Sequence, residues 1–192
     1  MFDPLLIPLH CEPEAIADLS TGFRGFALAG AEPHWLISGV WLYTDSTTYL
    51  ATPGVEVLAD GTIARVLHVD RPETLLNRLR ADLPDVQARV DARGAGIELP
   101  PIPAELPPAE PENSWAEGEY RLRIVNRRIE RQSVTYRIGC ALIFEREPNR
   151  QLLVGADPSM LALVASEDPE LIGTYLANCE IIAADDYPST LA

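Results

Sequence analysis

The residues with chemical reach in this sequence are few. His10, Cys11, Glu12 and Glu14 place an imidazole, a thiol and two carboxylates within one short stretch. A Cys–His couple serves as nucleophile and base when the two meet in space, and the same side chains ligate metals. Adjacent residues seldom hold one ion well, so the cluster acts only if His34 or His68 converges on it. His68 lies in residues 65–70, RVLHVD, two positions from Asp70 and on the same face of a strand. A carboxylate so placed can orient an imidazole for proton transfer. His68, Asp70, Cys11 and His34 are therefore the catalytic candidates, although none of them sits in a known catalytic spacing. The plainer reading makes His68 a hydrogen-bonded structural residue and Cys11 a partly buried thiol.

Several chemistries are excluded outright. All 15 basic residues are arginine, which removes the P-loop lysine, Schiff-base catalysis and pyridoxal attachment together. A GC-rich bacterial genome that trades Lys codons for Arg codons accounts for this; selection against amine-modifying conjugation is the rarer cause. No GxGxxG, GxSxG, HExxH or EF-hand loop occurs. No cofactor and no metal site is expected. Cys11, Cys140 and Cys179 are odd in number and form no CxxC pair. They read as free thiols in a reducing compartment, with Cys140 the least accessible, and exclude a zinc finger or ribbon. Asp45-Ser46-Thr47-Thr48 reads as hairpin-turn chemistry, and Asp185-Asp186 as a solvated pair.

Charge points to a class of partner. The chain has 192 residues, 29 acidic and 15 basic, for a net charge of −14. Such a field disfavours nucleic acid and anionic membranes and favours a basic protein. One local exception exists: Arg121, Arg123, Arg127, Arg128, Arg131 and Arg137 against Glu119 and Glu130 leave a charge of +4 over residues 119–137. This stretch is the one candidate for RNA or phosphate contact. Arginine forks also suit carboxylates, and in so negative a field these residues are expected instead to pair with the acidic strap described next or with the other half of the chain.

The elements that must position these groups fall into two halves. Residues 98–113, ELPPIPAELPPAEPEN, hold six prolines and four glutamates. Proline fixes φ and removes donors, so neither helix nor central strand forms there. An extended strap follows, docked by Leu99, Ile102 and Leu106. The boundaries are 1–97 for a first module, 98–114 for the strap and 115–192 for a second. After Gly39 and after Gly139 comes the same series: strand, polar turn, strand, a further strand and a helix opening on Pro72-Glu73 or Pro169-Glu170. Asp70 and Asp168 can cap those helices, and proline suits their first turn. The fold class is α+β: two similar modules, each a mainly antiparallel sheet followed by a helix. Strands are expected over 23–29, 34–44 and 62–69, and helices over 12–19 and 84–92. In the second half a turn is expected at Asn126-Arg127-Arg128, and then a strand carrying Val134, Tyr136, Ile138, Cys140, Leu142 and Phe144 on one face.

The N-terminal residues lack a basic stretch followed by a small-residue cleavage site, and no apolar run reaches the ~18 residues of a membrane span. A cytoplasmic location is expected. The function that follows is non-catalytic: an acidic inhibitor, immunity-like protein or accessory subunit that binds a basic partner. Its contacts are expected at Glu98, Glu105, Glu110, Glu112 and Trp115, with Trp35 and Trp41 as further aromatics. The rival readings are a small enzyme with a cleft between the modules, using a Cys/His or His/Asp pair, and a homo-oligomer formed through strand edges.

Overall fold

Period-two alternation dominates the sequence, and strands dominate the molecule. The computed structural model describes residues 4–29, 39–74, 77, 110–115, 119–146, 150–159 and 162–187. The first half supplies β1 (Leu5–Ile7), β2 (His10–Cys11), α1 (Ala15–Gly22), β3 (Phe23–Ala29), β4 (Gly39–Thr44), β5 (Thr48–Val57), β6 (Ile63–Asp70) and β7 (Asn113–Ser114). The second supplies β8 (Tyr120–Arg131), β9 (Val134–Arg146), β10 (Arg150–Ala156), β11 (Leu163–Ser166), α2 (Pro169–Leu176) and β12 (Cys179–Ala183). The architecture is α+β, with two sheets and few helices. No helix among the described residues is long and apolar enough to cross a membrane.

One sheet has the order β2-β6-β5-β4-β3-β7; the other runs β11-β10-β9-β8-β12, with β1 joined in parallel to β9. Each half is thus an antiparallel four-strand meander whose first strand takes a later strand on its free side, β7 in one case and β12 in the other. One core fills the space between the sheets. Val40, Leu42, Tyr49, Ala51, Leu67 and Val69 from the first meet Leu122, Ile124, Leu142, Phe144, Leu152 and Val154 from the second. Phe23 stacks on Phe144 at 3.9 Å between ring centroids. Burial of this apolar surface is the main force holding the halves together.

The chain segment ahead of α1 stitches the sheets to each other. β1 lies along β9, Pro8 and Leu9 cross over, and β2 lies along β6. The crossing needs Gly139: a Cβ there would collide with the backbone nitrogen of Leu9. The Leu9 N–H donates to the Tyr187 hydroxyl at 2.8 Å, so a buried donor is satisfied from the far end of the chain.

Four local expectations need correction. α1 starts at Ala15 and runs to Gly22, not over 12–19, because the Glu12 carboxylate is held by the Arg71 backbone N–H at 3.1 Å and by its guanidinium at 3.3 Å. Asn126-Arg127-Arg128 does not turn; β8 runs on to Arg131, and the chain reverses at Gln132 and Ser133, whose φ values are 46° and 69°. Two consecutive positive φ values mark the two-residue hairpin turn that matches strand twist. The register slips at Val125/Asn126, where Val125 faces Ala141 and Asn126 faces Gly139. That bulge breaks the single face expected of β9. Leu142 and Phe144 enter the shared core, Tyr136 and Ile138 pack with Ala64 and Val66, and Cys140 lies with Val125, Ala141 and Ile172 under α2. Lastly, residues 113–114 of the expected strap are strand β7, paired with Phe26 and Gly25.

Other expectations hold. The strands at 23–29 and 63–70 are present, and the turn at Asp45 is built by the Thr44 hydroxyl, which accepts from Ser46 and Thr47 N–H. Asp168 caps α2 by accepting from Glu170 N–H at 2.9 Å, with Pro169 in the first turn. The helix over 84–92, residues 34–38 of the expected strand and residues 98–109 of the strap lie outside the described residues.

Candidate functional site

The parallel pairing of β2 with β6 sets His10 opposite His68 and Cys11 opposite Val69. Successive strand residues point to opposite faces, so His10 and Cys11 diverge and the nucleophile–base couple does not form. His10 instead lies flat on His68, ring centroids 4.7 Å apart and planes 4° from parallel. Its Nε2 meets Glu56 Oε1 at 2.9 Å. An imidazole offers a metal its lone pair in the ring plane, so two rings face to face cannot both aim at one ion. No group of three or more His, Cys, Asp or Glu among the described residues is arranged to hold a metal.

Cys11 is the opposite of an activated thiol. Burial first, then the charges of Asp70 and Glu12, push it up to about 11, which leaves it protonated at neutral pH. Asp70 is buried and its charge bears on Cys11, and the ring of His68 stacks on that of His10. Around them runs a polar seam that ties α1 to the sheet: the Tyr49 hydroxyl donates to Asp18 at 2.8 Å, and Arg71 pairs with Glu12.

The expected partner contacts divide. His34, Trp35, Glu98 and Glu105 lie outside the described residues. Glu110 and Glu112 are exposed beside β7. Trp115 is not a surface aromatic; it is 1% exposed in the shared core. Its indole N–H donates to Glu167 at 2.8 Å, and the Arg150 guanidinium lies 4.4 Å from its ring centroid. Trp41 is likewise buried. Among the described residues three arginines of the basic stretch pair within the second half: Arg123 with Glu145 at 2.6 Å, Arg128 with Glu130 at 2.9 Å and Arg137 with Glu180 at 3.0 Å. The charge of Arg131 bears on Asp60 of the first half.

A concave site lies within the second half. An open groove of about 920 Å³ is lined by Arg127, Arg128, Arg137, Tyr175, Cys179 and Glu180, among others. β8 and β12 build it: Cys179 stands opposite Arg127, and Glu180 opposite Asn126. α2 adds Tyr175, whose hydroxyl donates to the Ala156 carbonyl at 2.8 Å. The Arg127 guanidinium rides 5.0 Å from the Tyr175 ring centroid. Cys140, fully buried, donates its S–H to the Val125 carbonyl, and the half-buried Cys179 donates to the Tyr175 carbonyl, each at 3.5 Å. The neighbouring Cys140 thiol, helped by the charge of Arg127, overcomes partial burial and brings Cys179 down to about 6, while Cys140 is pushed well above the ordinary thiol range.

Linear spacing carried no sign of this site. The two cysteines are far apart in sequence, and only the pairing of β12 with β8 sets Cys179 beside Arg127. The arginine-rich stretch was the one legible part of it. No protein-family model matches the chain, and neither a curated protein nor a solved structure matches it significantly.

Proposed function

We propose that this chain is a non-catalytic binding protein of the bacterial cytoplasm, built from two related modules joined by the proline-rich strap, that recognises a basic protein partner. The shared strand order of the two meanders, each with its later strand beside the first, supports a duplicated module. The observation that carries the binding role is the end of the β5–β6 hairpin. There Val55, Val57 and Ile63 are 47%, 71% and 60% exposed, and Val57 is paired directly with Ile63. Clustered exposed β-branched residues on a rigid hairpin form the apolar centre of an interface. Asp60 at the turn is kept ionised, since the Thr62 N–H bonds it at 2.9 Å and lowers its pKa. The −14 net charge then steers a basic partner to this end of the molecule.

The test is affinity capture from host extract with the wild-type chain and with Val57→Asp and Ile63→Asp, each at low and high salt. A basic protein retained by wild type, lost by both variants and weakened by salt supports the reading. Capture that is indifferent to the two substitutions sinks it. Sedimentation of the purified chain closes the test: a dimer dissolved by the same substitutions would make the hairpin end a contact between copies.

A further inference from the structure

We propose that Cys179 is a site of mixed-disulfide formation with carboxylate-bearing low-molecular-weight disulfides, which the arginine-lined groove gathers beside its sulfur. Three features of the site converge. The Cys179 thiol lines an open groove of about 920 Å³, large enough for a ligand of peptide size. The groove sets three arginines against Glu130 and Glu180, a local positive excess in a chain of net charge −14. Among the ion pairs of the described residues, Arg128 and Arg137 have carboxylate partners and Arg127 has none. Arg127 is also the arginine that stands directly opposite Cys179 in the β8–β12 pairing. A planar guanidinium beside a sulfur can hold the carboxylate of an incoming disulfide while the sulfur attacks.

The step is thiol–disulfide exchange. The Cys179 thiolate attacks one sulfur of R–S–S–R; a new S–S bond joins Cys179 to RS, the old S–S bond breaks, and RS⁻ leaves with its electron pair. The protein sulfur is oxidised and half of the reagent is reduced, so no other oxidant is needed. Cys140 donates its S–H to the Val125 carbonyl and does not resolve the adduct. It sits on β9 and Cys179 on β12, on either side of β8. Two strand spacings put their backbones about 9–10 Å apart, beyond the ~7 Å across which a disulfide closes without backbone movement.

Oxidised glutathione, an anionic disulfide, and cystamine, a cationic one, distinguish this from nonspecific reactivity. Each rate of adduct formation at pH 7.5, followed by intact mass and peptide mapping, is divided by the rate of the same reagent with 2-mercaptoethanol. Wild type is expected to favour oxidised glutathione by about 10-fold on this scale, with the adduct on Cys179 and Cys11 unmodified. Arg127→Gln removes the preference. Glu180→Gln, at an exposed position, strengthens it and so tests the groove even where Arg127→Gln harms the fold. A preference for cystamine, an adduct on Cys11 in place of Cys179, no adduct, or an internal Cys140–Cys179 disulfide would each overturn the proposal.

Discussion

His68 is clasped between His10 and Gly54: one imidazole lies on it at 4.7 Å, and on the neighbouring strand the missing side chain of Gly54 leaves the room its ring occupies. A Cβ built on Gly54 would collide with the Nε2 and Cδ2 atoms of that ring. Gly54→Ala is therefore expected to displace His68, undo the stack and cost about 1–3 kcal/mol, read as a lowered urea midpoint. In a His68→Ala background the same substitution should cost much less. An equal cost in both backgrounds would place the strain in the backbone instead.

Tyr120 joins α1 to the second sheet with both functions of its hydroxyl. It accepts from Phe23 N–H and donates to the Leu19 carbonyl, each at 2.6 Å. Tyr120→Phe leaves both groups without this partner and is expected to cost about 1–3 kcal/mol. Chemical denaturation gives the number, and a change under ~0.5 kcal/mol would mean that water replaces the hydroxyl.

The turn of the β8–β9 hairpin is built from residues that resist it. Gln132 and Ser133 both adopt positive φ, a region that costs a residue with a Cβ roughly 1 kcal/mol. The double substitution Gln132→Asn, Ser133→Gly supplies the residues this turn prefers and is expected to raise stability by about 1 kcal/mol. Thermal unfolding would show it; a lowered midpoint would argue against the two-residue turn.

Stability should pass through a maximum in mildly alkaline solution. Cys179 has a folded pKa depressed to about 6, so the unfolded chain holds more protons between that value and its ordinary ~8.5. Its contribution is present above the unfolded value and is lost as pH falls through the folded one; Cys179→Ser should flatten this limb. Burial acts the other way on Cys11, raised to about 11, and on Tyr49 and Tyr187, each raised to about 12. Their stability is fully present below the unfolded pKa values and is lost as pH rises through the folded ones. Urea midpoints between pH 6 and 12 test both limbs, and a flat profile would contradict them.

Local features were legible in the sequence because local physics sets them. Asp168, Pro169 and Glu170 announce the start of α2, and Asp45 with its hydroxyl neighbours announces the β4–β5 turn. Alternation marks β3, β6 and β8. What sequence could not give is partnership between distant segments. Nothing near Trp115 says that Glu167 will accept its N–H, so an aromatic beside a proline-rich acidic stretch reads as exposed. Likewise Arg127 lies in the stretch marked as basic, but its neighbour Cys179 arrives only through a strand pairing across the second half. The bulge at Cys140 is invisible to alternation, and it moves that thiol from the expected face to the one beneath α2.

The stitch made by the N-terminal strands fixes an order of events during synthesis. His10 meets His68 58 positions later, whereas Leu5 must wait for Tyr136, 131 positions downstream. A chain still emerging from the ribosome can lay β2 on β6 early, but β1 has no strand to lie on until β9 has been made. Until then the apolar inner face of the first sheet stays uncovered, a stretch of about 70 residues of translation, several seconds at ordinary rates. Slowing synthesis between β6 and β9 would lengthen that interval, and the nascent chain would then draw most heavily on chaperones.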